Sequence, residues 1–244
     1  MPTFTIITMT LNNLDGLIRT AHSIRAQKPC HYEWIVIDGG SEDGTASYLQ
    51  SKDIMHISEP DQGIYDAMNK GIERASGEYL LFLNAGDTLA ADDVLKAIEE
   101  QTQRTKPDFI YGDAIEGGQY KPARSHKQID WGLFTHHQAM FYKRETLADL
   151  RYNTNYKIAA DYALTRQFLS RAADVYHHPH AVCVFEPGGV SQQNAAQGRN
   201  EQFQIRKEQG VRVVKNTLIY IGQMFIWMVR GTCPGLYWWL KRRL

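Results

Sequence analysis

Three stretches of this sequence end an apolar run in carboxylates and glycines. EWIVID runs straight into GGSEDGT, which leaves Asp38 at the last position of a β-rich segment. SEPDQGIYDAMNKG sets Asp61 before a glycine turn and a helix start, with Asp66, Asn69 and Lys70 behind it. YLLFLNAGD closes on Asn84, Gly86 and Asp87. Each has an ordinary reading: Asp38 and Asp87 as turn residues, Asp61 as a cap, Asp66 and Lys70 as a surface pair four apart. Each also has a chemical one. A carboxylate at the carboxyl end of a sheet strand can accept hydrogen bonds from a nucleotide base or ribose. A hard divalent cation takes carboxylate oxygens such as those of Asp87, and a bound diphosphate can complete its shell. His136, His137, His177, His178 and His180 match no compact zinc spacing, and no cysteine joins them. GxGxxG and P-loop patterns are both missing, which removes most of the case for an NAD enzyme or an ordinary ATPase.

These carboxylates act together only if the elements behind them bring the turns to one edge. FTIITM is a buried strand, and Leu14, Leu17, Ile18, Ala21 and Ile24 recur at helical spacing after it. A second strand covers residues 33–38, a short helix passes through Tyr48 and Leu49, and residues 54–57 supply a third strand. Ile64, Ala67, Met68, Ile72 and Ala75 mark a helix ending at Gly77, before a fourth strand from Tyr79 to Leu83. Further on, the pattern predicts a helix over 92–104, strands over 109–113 and 138–143, a helix over 161–172, and extended chain through FEPGG. Strands alternating with helices this closely imply an α/β fold, its sheet mainly parallel with helices on both faces. No repeat or low-complexity linker divides the chain, so one domain is expected over residues 1–212, its second half completing a site begun by the first.

The bulk numbers narrow the class. With 244 residues, 43% hydrophobic and 22% charged, the chain is an ordinary folded protein. Its 27 basic and 27 acidic side chains cancel, which argues against a general nucleic-acid binder. Cys30, Cys183 and Cys233 are scattered and form no disulfide or zinc framework, so a reducing cytoplasmic setting is expected. MPTFTIITMT reads as a first strand and not as a signal peptide. Residues 213–244 differ from the rest: no acidic residue follows Glu208, and two aromatic-rich runs lie among Arg230, Lys241, Arg242 and Arg243. The longer run falls short of the roughly 20 apolar residues that cross a bilayer, but suits an anionic membrane surface. Packing on the domain, or on a second copy in a homodimer, is the other expectation for it.

Taken in order, TIITMTLNN, WIVIDGGSEDGT, SEPDQGIYDAMNKGIERASGEYLLFLNAGD, HHQAMFYKRETL and AADYALTRQF resemble the family 2 glycosyltransferases of GT-A fold. The likeness is greatest to small bacterial enzymes of exopolysaccharide, colanic-acid or O-antigen assembly, and it spans residues 1 to about 190. It implies a Rossmann-like, mainly parallel mixed sheet flanked by helices. It also implies that Thr8 and Asn12 lie on the first nucleotide loop and that Asp38 contacts the base. Ser41, Asp43 and Gly44 would shape the next turn, and Asp61 would be a second nucleoside-site carboxylate. Asn84 to Asp87 would occupy the family's metal and diphosphate motif, where Asn84 and Gly86 replace side chains that are often aspartates. Asp87 is then the surviving carboxylate for Mn²⁺ or Mg²⁺. His137 and Gln138 would approach donor or acceptor, and Asp161 would be the catalytic base.

The implied reaction is an inverting transfer of one sugar from a UDP- or GDP-sugar to a lipid-linked or saccharide acceptor. It would take place at the cytoplasmic face of the inner membrane, with the enzyme peripheral to it. The QxxRW motif of processive synthases is missing, in keeping with one sugar at a time. Asp161 also suits a plain N-cap before YALTRQF. Two alternatives stand beside the transferase. A sugar-nucleotide nucleotidyltransferase should carry a Gly-rich, basic loop after its first strand, which TMTLNNLDG lacks. A non-catalytic, membrane-associated sugar-binding protein gains from Asn84 and Gly86 but not from Asp38, Asp61, Asp87 and Asp161.

Overall fold

The computed structural model describes residues 1–232. Its centre is one nine-stranded mixed sheet in the order β3-β2-β1-β4-β8-β6-β9-β5, with β7 paired to β6. The strands are β1 Phe4–Thr10, β2 Tyr32–Asp38, β3 Met55–Ser58, β4 Tyr79–Phe82, β5 Thr88–Leu89, β6 Phe109–Glu116, β7 Gln119–Lys121, β8 Met140–Lys143 and β9 Val175–Phe185. The helices are α1 Leu14–Arg25, α2 Thr45–Ser51, α3 Ile64–Arg74, α4 Val94–Thr105, α5 Arg144–Leu147, α6 Ala160–Leu169, α7 Val190–Gln193, α8 Ala195–Glu208 and α9 Val213–Thr232.

Alternation along the strands splits the core into two layers. In β1, Ile7 and Met9 face one side with α3 and α6, while Phe4 and Ile6 face the other with α4 and the end of α1. The same alternation holds in β4, where Leu80 and Phe82 oppose Tyr79, Leu81 and Leu83. Side chains on successive residues point to opposite faces, so a strand buried on both reads as an unbroken apolar run. The matching stripes are Tyr65, Met68 and Ile72 on α3, Leu164 and Phe168 on α6, and Val94, Leu95 and Ile98 on α4.

β1 to β4 pair in parallel, so the turns after them emerge at one edge of the sheet. The second half makes the sheet mixed. β8 runs antiparallel between β4 and β6, and β6 also pairs antiparallel with β7, while β9 returns parallel to β6. The strand expected over 138–143 begins only at Met140, because His137–Ala139 form a 3-10 turn. Gly117 and Gly118 take positive φ and close the β6–β7 hairpin, which was not foreseen. Glu201 of α8 accepts backbone N–H bonds from Lys157 (3.1 Å), Ile158 (2.9 Å) and Ala159 (2.9 Å), tying the lead-in of α6 to the C-terminal hairpin of α8 and α9.

Candidate functional site

The parallel strands deliver their loops to one edge, and hydrogen bonds lock those loops together. Asn12, with φ of 48°, donates its N–H to Ser41 Oγ (2.7 Å) and accepts from Glu42 N (2.9 Å) through its side chain. Asp43 accepts from Leu14 N at 2.9 Å. Asp38 is fully buried. One of its oxygens accepts from Ser41 N (3.1 Å) and Ser41 Oγ (2.5 Å), and the other from Ser58 Oγ (2.5 Å). In this structure Asp38 therefore braces the 39–44 turn. Thr8 is also fully buried and accepts the Trp34 indole N–H at 3.0 Å, so its hydroxyl faces the core and not the loop after β1.

Asp61 is a further, half-buried carboxylate at this edge. One oxygen accepts Gly63 N at 2.8 Å. The other stands 2.6 Å from where a Cβ on residue 39 would be, so a side chain there would push this carboxylate aside.

The second wall of the site is built around the turn after β4. Thr20 of α1 donates its hydroxyl to Asp87 O (2.7 Å) and accepts Gly86 N (3.0 Å), and Asn13 Nδ2 donates to Ala85 O (3.0 Å). Asp87 lies under the turn with 4% exposure. Gln138 Nε2 donates to one of its oxygens at 2.6 Å and Glu186 N to the other at 2.9 Å. Burial outweighs these bonds and raises the Asp87 carboxyl above its usual range. The Asn84 Oδ1 and Gln138 Oε1 atoms are buried without a partner among the described residues.

His137 spans the gap between this turn and α6. Its Nδ1 lies 3.3 Å from Asp161 Oδ2, and its Nε2 lies 3.5 Å from Asn84 Nδ2. As placed, the Asn84 amide nitrogen faces Nε2 and Nδ1 faces Asp161. Asp161 lies in the first turn of α6, where the helix dipole favours a carboxylate. It is not the N-cap, which is Ala159. Its Oδ1 accepts Tyr162 N at 2.7 Å, leaving Oδ2 to His137 and the site.

Asn84, His137, Gln138, Asp87 and Asp161 are thus one connected group, with Asn12, Ser41 and Asp61 along the adjoining loop edge and Thr8 apart from both. Glu186, Arg19 and Glu201 escaped the sequence reading. Glu186 sits in FEPGG and Arg19 in an ordinary amphipathic helix, and neither has a neighbour in sequence that marks it. Among the described residues no group of three His, Cys, Asp or Glu side chains converges on a metal position. The turn nevertheless suits a hard cation, because Asn84 Oδ1 is an unpartnered oxygen and each Asp87 oxygen keeps a further lone pair.

A sequence model described as glycosyl transferase family 2 matches residues 5–171. A PGL/p-HBAD biosynthesis glycosyltransferase of Mycobacterium bovis is 35% identical over 204 residues, covering 78% of this chain and 79% of its own. Among solved structures, Staphylococcus aureus TarS 1–349 in complex with UDP-GlcNAc aligns with a TM-score of 0.70 at 17% identity, over 83% of this chain and 64% of that one. The mannosyltransferase PcManGT of Pyrobaculum calidifontis, in complex with GDP-Man and Mn²⁺, aligns at 0.64 and 15% identity, over 99% and 79% of the two chains.

Proposed function

The chain belongs to glycosyl transferase family 2, and from that premise we propose that it moves one sugar, with inversion, from a UDP- or GDP-sugar to a lipid-linked saccharide of a bacterial surface polysaccharide. The observation that carries this reading is the line Asn84–His137–Asp161, which joins the turn at the sheet edge to a carboxylate across the site. Donor nucleotides are named for two structural neighbours, TarS with UDP-GlcNAc and PcManGT with GDP-Man.

The side chains have distinct tasks in this reading. Asp61 and the Asn12–Ser41 loop hold the nucleoside, with Asp38 keeping that loop in shape. Asn84 and Asp87 would hold Mn²⁺ or Mg²⁺ against the donor diphosphate. Such an ion supplies positive charge that stabilises the departing nucleoside diphosphate. Asp161 Oδ2 takes the proton of the acceptor hydroxyl as its oxygen attacks the anomeric carbon, and His137 Nδ1–H keeps that carboxylate turned toward the donor. The acceptor is read as lipid-linked because α9 exposes an apolar face beside the domain. Val214, Leu218, Ile221, Phe225 and Met228 recur along it at helical spacing with 51–74% exposure. No described helix is long and apolar enough to cross a membrane, so this face would lie on the surface.

Asp161→Asn tests the reading. The amide keeps the shape of the side chain but loses its basicity, so turnover should fall by about 10²–10⁴-fold. Donor affinity, measured by calorimetry, should stay within a few-fold of wild type. Wild-type turnover in the variant would remove Asp161 from the base role.

A further inference from the structure

The turn NAGD lacks a side chain at Gly86, and the fold brings another carboxylate to that place. Gly86 has φ of +105°, and a Cβ built on it would lie 1.9 Å from Glu186 Oε2. The carboxyl group at the end of β9 therefore occupies the volume that a residue-86 side chain would enter. It is fixed from both sides. Asp87 accepts the Glu186 backbone N–H at 2.9 Å, and Arg19 Nη2 meets Glu186 Oε1 at 2.5 Å. Both charged side chains remain about half exposed, at 50% for Arg19 and 46% for Glu186. The unpartnered Asn84 Oδ1 belongs to the same turn.

We infer that Glu186 supplies the carboxylate missing from the turn, joining Asn84 and Asp87 as an oxygen ligand for the divalent cation, with Arg19 as its counter-ion when no cation is bound. This rests on the nucleotide-sugar reading above. The chemistry follows from charge: a hard cation prefers anionic oxygen, and Asp87 alone offers one carboxylate to the shell. Arg19 holds Oε1 while Oε2 lies at the turn, so its positive charge opposes a cation at that second oxygen.

The test reads metal binding directly. Mn²⁺ is titrated, by its electron paramagnetic resonance signal, into the full chain saturated with UDP or GDP, whichever binds. Glu186→Gln keeps size and hydrogen-bonding shape, and it should weaken Mn²⁺ binding by about tenfold or more while leaving nucleotide affinity in EDTA unchanged. Arg19→Gln frees the carboxylate and should tighten Mn²⁺ several-fold. Both positions are half exposed, so thermal melts should match wild type. Equal Mn²⁺ affinity in wild type and Glu186→Gln overturns the assignment. If the wild-type nucleotide complex takes up no Mn²⁺ yet sugar transfer proceeds in EDTA, the cation site falls and the transferase reading stands.

Discussion

At the residue scale, neighbouring carboxylates have been given opposite work by their surroundings. Asp38 is sealed by Ser41 and Ser58, whereas Asp161 keeps one oxygen at an open edge beside His137. Asp38→Asn should therefore cost stability, about 1–3 kcal/mol, since an amide nitrogen would face a hydroxyl or N–H donor inside the core. Urea unfolding measures this, and an unchanged midpoint would contradict the bracing role. Asp38 stood out in the sequence because it ends an apolar run at a glycine turn, and Asp161 only through the family resemblance. Their division of labour did not. It depends on Ser58 reaching Asp38 from β3, and on Gly39 leaving room for Asp61, which are contacts between segments.

At the element scale, α6 carries the proposed base, and α8 holds the lead-in of α6. Glu201 gathers three backbone N–H groups ahead of the helix, and Tyr65 of α3 donates its hydroxyl to Ile158 O at 2.7 Å. Glu201→Ala leaves those donors unpaired and should lower turnover about tenfold with donor affinity retained, since a displacement near 1 Å is costly in catalysis. Glu201→Gln, which keeps an acceptor oxygen, should recover most of it; equal loss in both variants would argue against positioning. The β6–β7 hairpin offers a pH test. The His136 ring 3.4 Å away and Lys121 at 2.8 Å hold the Glu116 carboxyl below its ordinary value of 4.5 against the effect of burial. A depressed carboxyl contributes stability above that ordinary value and loses it as pH falls. Glu116→Gln should thus be less stable than wild type at pH 7 by about 1 kcal/mol, with the gap closing as pH falls below the ordinary carboxyl value. A gap independent of pH would refute this. Element types were readable from periodicity throughout the first half of the chain. Beyond β6 they blurred, because β8 enters the sheet antiparallel and its run starts in a 3-10 turn that no local pattern marks.

At the scale of the whole molecule, the C-terminal hairpin joins the site to a surface. Arg206 of α8 is fully buried and donates to Asn216 Oδ1 (2.6 Å), Gln223 Oε1 (3.2 Å) and Asp130 O (3.2 Å), fixing the polar side of α9 inward. The apolar side is left outward, and the aromatic and basic residues Trp238, Lys241, Arg242 and Arg243 lie outside the described residues. A Leu218→Ser/Phe225→Ser double variant should stay folded, because both side chains are exposed, and should float with anionic liposomes much less than wild type. A loss of dimer with unchanged liposome binding would give this face to a second copy instead. The central claim concerns transfer itself, and one measurement reaches it most directly. Bacterial lipid extracts are incubated with the enzyme and each of a panel of UDP- and GDP-sugars, and the lipid-linked saccharides are weighed by mass spectrometry. The account predicts that one donor adds the mass of a single sugar to one lipid species, and that Asp161→Asn adds none. A ladder of additions, or no addition with any donor while the nucleotides bind, would contradict it.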